Sequence, residues 1–138
     1  MAPQVNYQIQ VFANVDPGQN NDNPLAPVIF VPKDFWLYFF NGTGQWSTSR
    51  GTPLYGPEGD GKGFVEPPYL AVAQNGQLVG VTVPDSDGSW FKVPYTLANS
   101  WQNPTGADVI LRFYINDLKG HYADNMGSVE CDIVLAPP

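Results

Sequence analysis

The sequence predicts an all-β fold built from two packed antiparallel sheets of jelly-roll type. Three observations carry this expectation. Gly and Pro are abundant, fourteen of each, while aromatic residues are well represented and charged residues scarce; stiff strands broken by frequent turns have this composition. Apolar runs with strand character number about eight, without a long repeat, and no segment carries a convincing helical period. At 138 residues the chain fits a single domain, 1–138, with a core that needs no disulfide staples.

Val5, Tyr7, Ile9 and Val11 alternate with Asn6, Gln8 and Gln10, the period of a strand with one wet face. Asp16-Pro17-Gly18 then makes a turn, and Asn20-Asn21-Asp22-Asn23 reads as a solvated loop. Val28 to Val31 and the aromatic run Phe35 to Phe40 follow. A strand apolar at every position is expected to be buried on both faces or to lie under a covering loop, with Phe35, Leu37 and Phe39 in the core. From Asn41 to Pro68 the pattern dissolves into Gly, Pro, Ser and Thr around Trp46, Tyr55 and Phe64, a long loop of the kind that is usually functional. Asn41-Gly42 is first a turn signal, although Asn41-Gly42-Thr43 also matches the N-glycosylation acceptor. Gly59-Asp60-Gly61-Lys62-Gly63 has the wrong spacing for a phosphate loop, and no helix follows it. Tyr69 to Ala73 and Leu78 to Val83 bracket Asn75-Gly76, the best hairpin signal in the chain. Trp90 to Tyr95, Val109 to Tyr114 and Val129 to Leu135 complete the strands.

The net charge of −7 with six basic residues disfavours nucleic acid, because tracking phosphates needs clustered Lys and Arg. No apolar run approaches a membrane span, so no membrane insertion is expected. The start Met1-Ala2-Pro3-Gln4 lacks the basic and apolar blocks of a signal peptide. A cytoplasmic protein is expected, with any release outside the cell following a non-classical route. Cys131, the single cysteine, alternates with Val129, Ile133 and Leu135 and reads as a small core residue.

Asp117 to Ser128 is the stretch richest in ligand chemistry. Asp117 and Asp124 offer carboxylates, Asn125 an amide oxygen, and the Gly120-His121 turn backbone carbonyls. Such hard oxygen donors suit calcium, whereas zinc or copper would need more His and Cys than the chain has. The competing reading is an ordinary loop, since Asp and Asn are common in turns, and the stretch does not fit the EF-hand pattern. The loop is expected at a sheet edge between two strands, with Asp117 accessible to solvent.

Val11-Phe12-Ala13-Asn14 with Gly18-Gln19, Trp46, Gly56-Pro57-Glu58-Gly59-Asp60, Gly80, Tyr114-Ile115-Asn116-Asp117, Gly120, Tyr122, Asn125 and Gly127-Ser128 occur in one order and at nearly constant spacing. In this the chain resembles the small calcium-dependent, galactose-binding bacterial lectins of the Pseudomonas PA-I type. The resemblance covers most of the chain and implies a jelly-roll-like sandwich of two four-stranded antiparallel sheets. It also implies a calcium ion held by the side chains of Asp117, Asp124 and Asn125 and the carbonyls of Ser49 and His121, with the metal bridging two neighbouring hydroxyls of a galactose-type sugar. The implied sugar contacts fall on Ser49, Gly63, Phe64, Glu66, Asp117, Leu118, His121, Asp124 and Asn125. Gly63 and Glu66 stand where that family holds the sugar's primary hydroxyl with His and Gln, so the metal end is kept and the side pocket altered. The implied partners are galactose-containing glycans, and the implied assembly is a homo-oligomer, the family's being a tetramer.

Two further functions compete with this one. Glu58, Asp60 and Glu66 place several carboxylates in one loop, as a glycosidase would need, although nothing in a Gly-rich loop shows that two of them face each other. Alternatively the sandwich is a protein-interaction module that has lost sugar recognition. His121, the single histidine, lies inside the candidate metal loop, which argues against a Ser-His-Asp arrangement. The reading adopted is a non-catalytic lectin.

Overall fold

A computed structural model describes residues 5–18, 23–48, 54–59, 75–83, 90–93, 100–117 and 121–138. Among these residues there are eight strands and no helix: β1 (Val5–Phe12), β2 (Val28–Val31), β3 (Trp36–Ser47), β4 (Leu78–Val83), β5 (Trp90–Lys92), β6 (Ser100–Gln102), β7 (Val109–Ile115) and β8 (Met126–Ala136). They form two four-stranded sheets, ordered β1-β8-β3-β6 and β2-β7-β4-β5. Every pairing is antiparallel. The expected all-β class and paired four-stranded sheets are therefore observed.

The core lies between the sheets because each strand sends alternate residues inward. Ile9 and Val11 of β1, Leu37, Phe39 and Trp46 of β3 and Val129, Cys131 and Ile133 of β8 meet Ile29, Val31, Leu78, Leu111, Phe113 and Ile115 of the facing sheet. Phe39 and Phe113 contact edge to face, with ring centroids 6.1 Å apart, a favoured aromatic geometry. Phe35, expected in the core, is only partly buried against it.

A second, smaller cluster lies on the outer side of β4 and β7, where Val79, Val81 and Tyr114 pack with Val15 and Ala26. Asn23, read from sequence as part of a solvated loop, instead fastens this cover. Its N–H donates to Tyr114 Oη at 3.3 Å, and Arg112 Nη1 donates to the carbonyls of Asn23 and Ala26 at 2.9 and 3.0 Å. The strands buried on both faces are thus β4 and the second half of β7, not the runs expected to be so. β2 alternates exposed and buried residues, and Tyr38 of β3 is exposed.

Three boundaries also differ from the sequence expectation. β3 continues through Asn41 to Ser47, and its pairing with β8 shifts register between Phe40 and Thr43. Asn41 takes the left-handed conformation, φ 57°, so Asn41-Gly42 makes a bulge inside a strand where a turn was read. Ser100–Gln102 pairs with Trp36–Tyr38 as edge strand β6; three residues are too few to show an alternating pattern. β8 begins at Met126, which shortens the Asp117–Ser128 loop. The expected strand Tyr69 to Ala73 lies outside the described residues.

Candidate functional site

The loop 116–125 joins β7 to β8, and each of these is an interior strand of its own sheet. The expectation of a sheet-edge loop is therefore corrected: the segment crosses one end of the sandwich. Both anchoring strands are held on two sides, which limits how far the loop ends can move.

Internal hydrogen bonds bring the two ends of the loop together. Tyr122 is 1% exposed, and its hydroxyl donates to the carbonyl of Ile115 at 2.7 Å. The Asn125 N–H donates to the carbonyl of Tyr122 at 3.1 Å. Asn125 is tied outward as well, its Nδ2 donating at 2.9 Å to the carbonyl of Ala13, just past β1. Because that bond uses the amide nitrogen, it also assigns the direction of the amide oxygen. Oδ1 is buried and accepts no hydrogen bond from the described residues. A buried acceptor left in this state costs about 1–3 kcal/mol, and a cation is one group that would repay it.

Asp117 is 4% exposed, so the expectation of a solvent-accessible side chain is wrong. The cause is the backbone around Asn116, which is itself buried. The Asn116 N–H donates to Gln77 at 2.8 Å and its carbonyl accepts from Gly76 at 2.9 Å, drawing the start of the loop under the Asn75-Gly76 turn. Asp117 Oδ2 is a further buried oxygen without a hydrogen bond, although the residue is engaged in other interactions. Asp124 and His121 are exposed and form the outer side of the loop. Among the described residues no three His, Cys, Asp or Glu side chains cluster, so a cation here would have to draw on amide and carbonyl oxygen as well as carboxylate. That mixture is calcium's usual donor set.

A polar frame supports this end. Trp46 and Tyr55 bridge through paired backbone hydrogen bonds of 2.9 and 3.0 Å. Thr48 N–H donates to Tyr55 Oη at 3.1 Å, and Asn75 Nδ2 donates to Thr48 Oγ1 at 2.9 Å. Gly76 has φ +75°, and a Cβ there would meet the Tyr55 ring at 2.2 Å; the turn can approach so closely only as glycine. Ser49, next along from Thr48, and Gly63, Phe64, Glu66 and Leu118 lie outside the described residues. So do Asp60 and the other half of any carboxylate pair in that loop; Glu58 is exposed and bridges to Gln77 through its backbone.

Sequence reasoning did not identify the role of Ala13, which acts through a carbonyl, or of Thr48 and Asn75. A backbone group leaves no mark on the sequence. Tyr122, a lone aromatic inside a polar loop, was the available signal for an internal anchor.

No protein-family model matches the chain, and no curated protein matches it in sequence. Among solved structures it is similar to the EclA N-terminal domain, a PllA-like lectin, with a TM-score of 0.54 and 16% identity over 94% of this chain and 95% of that one. The chain shares the β-sandwich fold of that domain. Because nearly all of both chains is covered, the likeness extends over the sandwich as a whole.

Proposed function

We propose that this protein is a calcium-dependent lectin without catalytic activity, binding galactose-type sugars at the 116–125 loop. The observation that carries the reading is Asn125 Oδ1, a buried oxygen whose orientation is set by the bond from Nδ2 to Ala13 and which no described donor satisfies. The side chains of Asp117, Asp124 and Asn125, with the carbonyls of Ser49 and His121, would hold the ion. Calcium bound there supplies coordination positions for two neighbouring sugar hydroxyls. The lectin-type fold of the EclA N-terminal domain supports carbohydrate binding in general.

Calorimetry decides the matter: calcium is added first, then methyl galactoside, with a chelator control. Sugar binding that needs calcium and disappears in Asn125→Ala is the expected outcome. Equal binding of galactoside with and without chelator, or none under either condition, overturns it.

Within this reading Gly63 offers no side-chain donor and Glu66 only accepts when ionised, so dependence on the sugar's primary hydroxyl is reduced. Two altered hydrogen bonds amount to about 1–3 kcal/mol. Phe64 supplies a ring for an aryl aglycone, and aryl galactosides bind better than methyl galactoside. A large penalty for 6-deoxygalactose in the wild type counts against this side pocket.

Association of copies belongs to the same reading, because linked weak sites gain avidity. Support comes from Val28, Phe30 and Ile110, exposed by 46%, 52% and 41% at the edge strand β2 and its neighbour. Sedimentation of wild type and Phe30→Ser tests it; a wild-type monomer at all concentrations removes it.

A further inference from the structure

The outer face of the β1-β8-β3-β6 sheet carries a second constellation that the loop site does not use. With Leu37 and Phe39 turned into the core, Trp36, Tyr38 and Phe40 form a row along the other side of β3. Trp36 and Tyr38 lie nearly parallel, with centroids 6.3 Å apart. The strand register sets polar side chains beside this row. Gln8 stands opposite Asp132, which stands opposite Phe40, and Asn6 stands opposite Val134, which stands opposite Tyr38. A groove of about 380 Å³ runs over Asn6, Gln8, Phe40, Asp132 and Val134, a size typical of small-ligand sites.

The bulge in β3 contributes directly to this groove. Asn41, held at φ 57°, donates from Nδ2 to Asp132 Oδ2 at 2.9 Å, which orients the carboxylate. A non-glycine residue in the left-handed region beside a groove is a reason to look for a function.

The chemistry narrows the ligand. The four strands of this sheet carry Glu130 and Asp132 but neither Lys nor Arg, which disfavours phosphates, acidic peptides and anionic membranes. The amides of Asn6 and Gln8 both donate and accept, while an ionised carboxylate accepts only. A sugar ring has the complementary pattern, with a C–H face for an aromatic ring and a rim of hydroxyls that donate and accept. Aromatic side chains provide such contact area at low entropic cost, and on strands they are already positioned.

We propose that this face is a second carbohydrate site, independent of calcium, which binds a neutral, extended oligosaccharide along the Trp36, Tyr38, Phe40 row with Gln8 and Asp132 holding its hydroxyls. Asp132 lies six residues beyond Met126 on β8, about 20 Å away at roughly 3.3 Å per residue, so the two sites are separate.

The test is calorimetry on the full chain in excess chelator, using hexamers of β1,4-linked glucose, N-acetylglucosamine and galactose. At least one hexamer is expected to bind, and Tyr38→Ala and Asp132→Asn should each weaken it tenfold or more while Asp117→Asn leaves it unchanged. Tyr38 is 40% exposed, so its truncation should leave a folded protein, verified by the melting curve. The proposal is overturned if no hexamer binds in chelator, or if binding survives both variants at full strength. Binding seen only when calcium replaces the chelator, and lost only in Asp117→Asn, belongs to the loop and counts against this face. A concentration-dependent dimer that Tyr38→Ala dissolves, with no sugar bound, would make the face a contact between copies and also overturns it.

Discussion

The indole Nε1 of Trp46 donates a 2.7 Å hydrogen bond to the carbonyl of Gly76 across 30 residues of sequence. Trp46 is fully buried, and the same turn passes its Gly76 N–H to the carbonyl of Asn116. The chain of contacts from β3 through the Asn75-Gly76 turn to the start of the 116–125 loop is therefore continuous. Removing the donor leaves a carbonyl unsatisfied in the interior, which costs about 1–3 kcal/mol. Trp46→Phe is expected to lose at least that much in denaturant unfolding, because packing is lost along with the bond. A variant as stable as the wild type would show that the bond contributes nothing net.

The candidate metal loop makes a prediction for Asp117→Asn. This replacement is close to isosteric and removes the charge. A ligand that binds only the folded state stabilises it by about 2.7 kcal/mol at a hundredfold excess over its dissociation constant. Melting curves of the wild type should rise with calcium and fall back with chelator, while those of the variant should coincide. A calcium-dependent rise that persists in Asp117→Asn removes this carboxylate from the site.

Two glycines with similar backbone angles give a controlled comparison. Gly127 has φ +86°, and a Cβ there would lie 2.3 Å from the carbonyl oxygen of Gln45, whereas Gly106 has φ +76° with nothing within 4 Å. Gly106→Ala should incur only the left-handed penalty, about 1–2 kcal/mol. Gly127→Ala should cost more, because the neighbour is backbone of the paired strand β3 and cannot rotate aside. Equal losses in thermal unfolding would mean that β3 and β8 separate there at little cost.

Cys131 sets a pH dependence. Its burial, with the negative charge of Asp132 adding to the effect, pushes the thiol up from 9.0 to about 11. The unfolded chain then ionises first as pH rises. The contribution to stability is complete below the unfolded value near 9.0 and is lost as pH approaches the folded value near 11. The loss is on the order of 2–3 kcal/mol, at about 1.4 kcal/mol per pH unit. The difference between the stability profiles of wild type and Cys131→Ser isolates this from the other groups that titrate there. Native protein should also react with a thiol reagent far more slowly than unfolded protein; comparable rates would place the thiol nearer the surface.

Features that repeat at short range were legible without a structure. The two-residue alternation of Val5 to Val11 and of Val129 to Leu135 was enough to assign strands and their buried sides, and Cys131 to the core, because neighbours in a strand point to opposite faces. The residue types between Asp117 and Asn125 were enough to nominate a calcium loop. Tertiary structure alone decided the rest, since each remaining feature depends on residues distant in the chain. Asn41-Gly42 is a bulge because β8 runs alongside and supplies Asp132. Ser100–Gln102 is a strand because the edge of β3 is there to pair with it, and Tyr114 is buried on the outer side of its sheet because Asn23 ties a covering segment to it. Asp117 lies inside because Gly76 and Gln77 draw Asn116 inward, and Asn125 presents an oxygen that no described donor satisfies because the carbonyl of Ala13, 112 positions away, takes its nitrogen. A local pattern gives a residue's period and chemistry, but not which distant backbone group will be the partner of its last hydrogen bond.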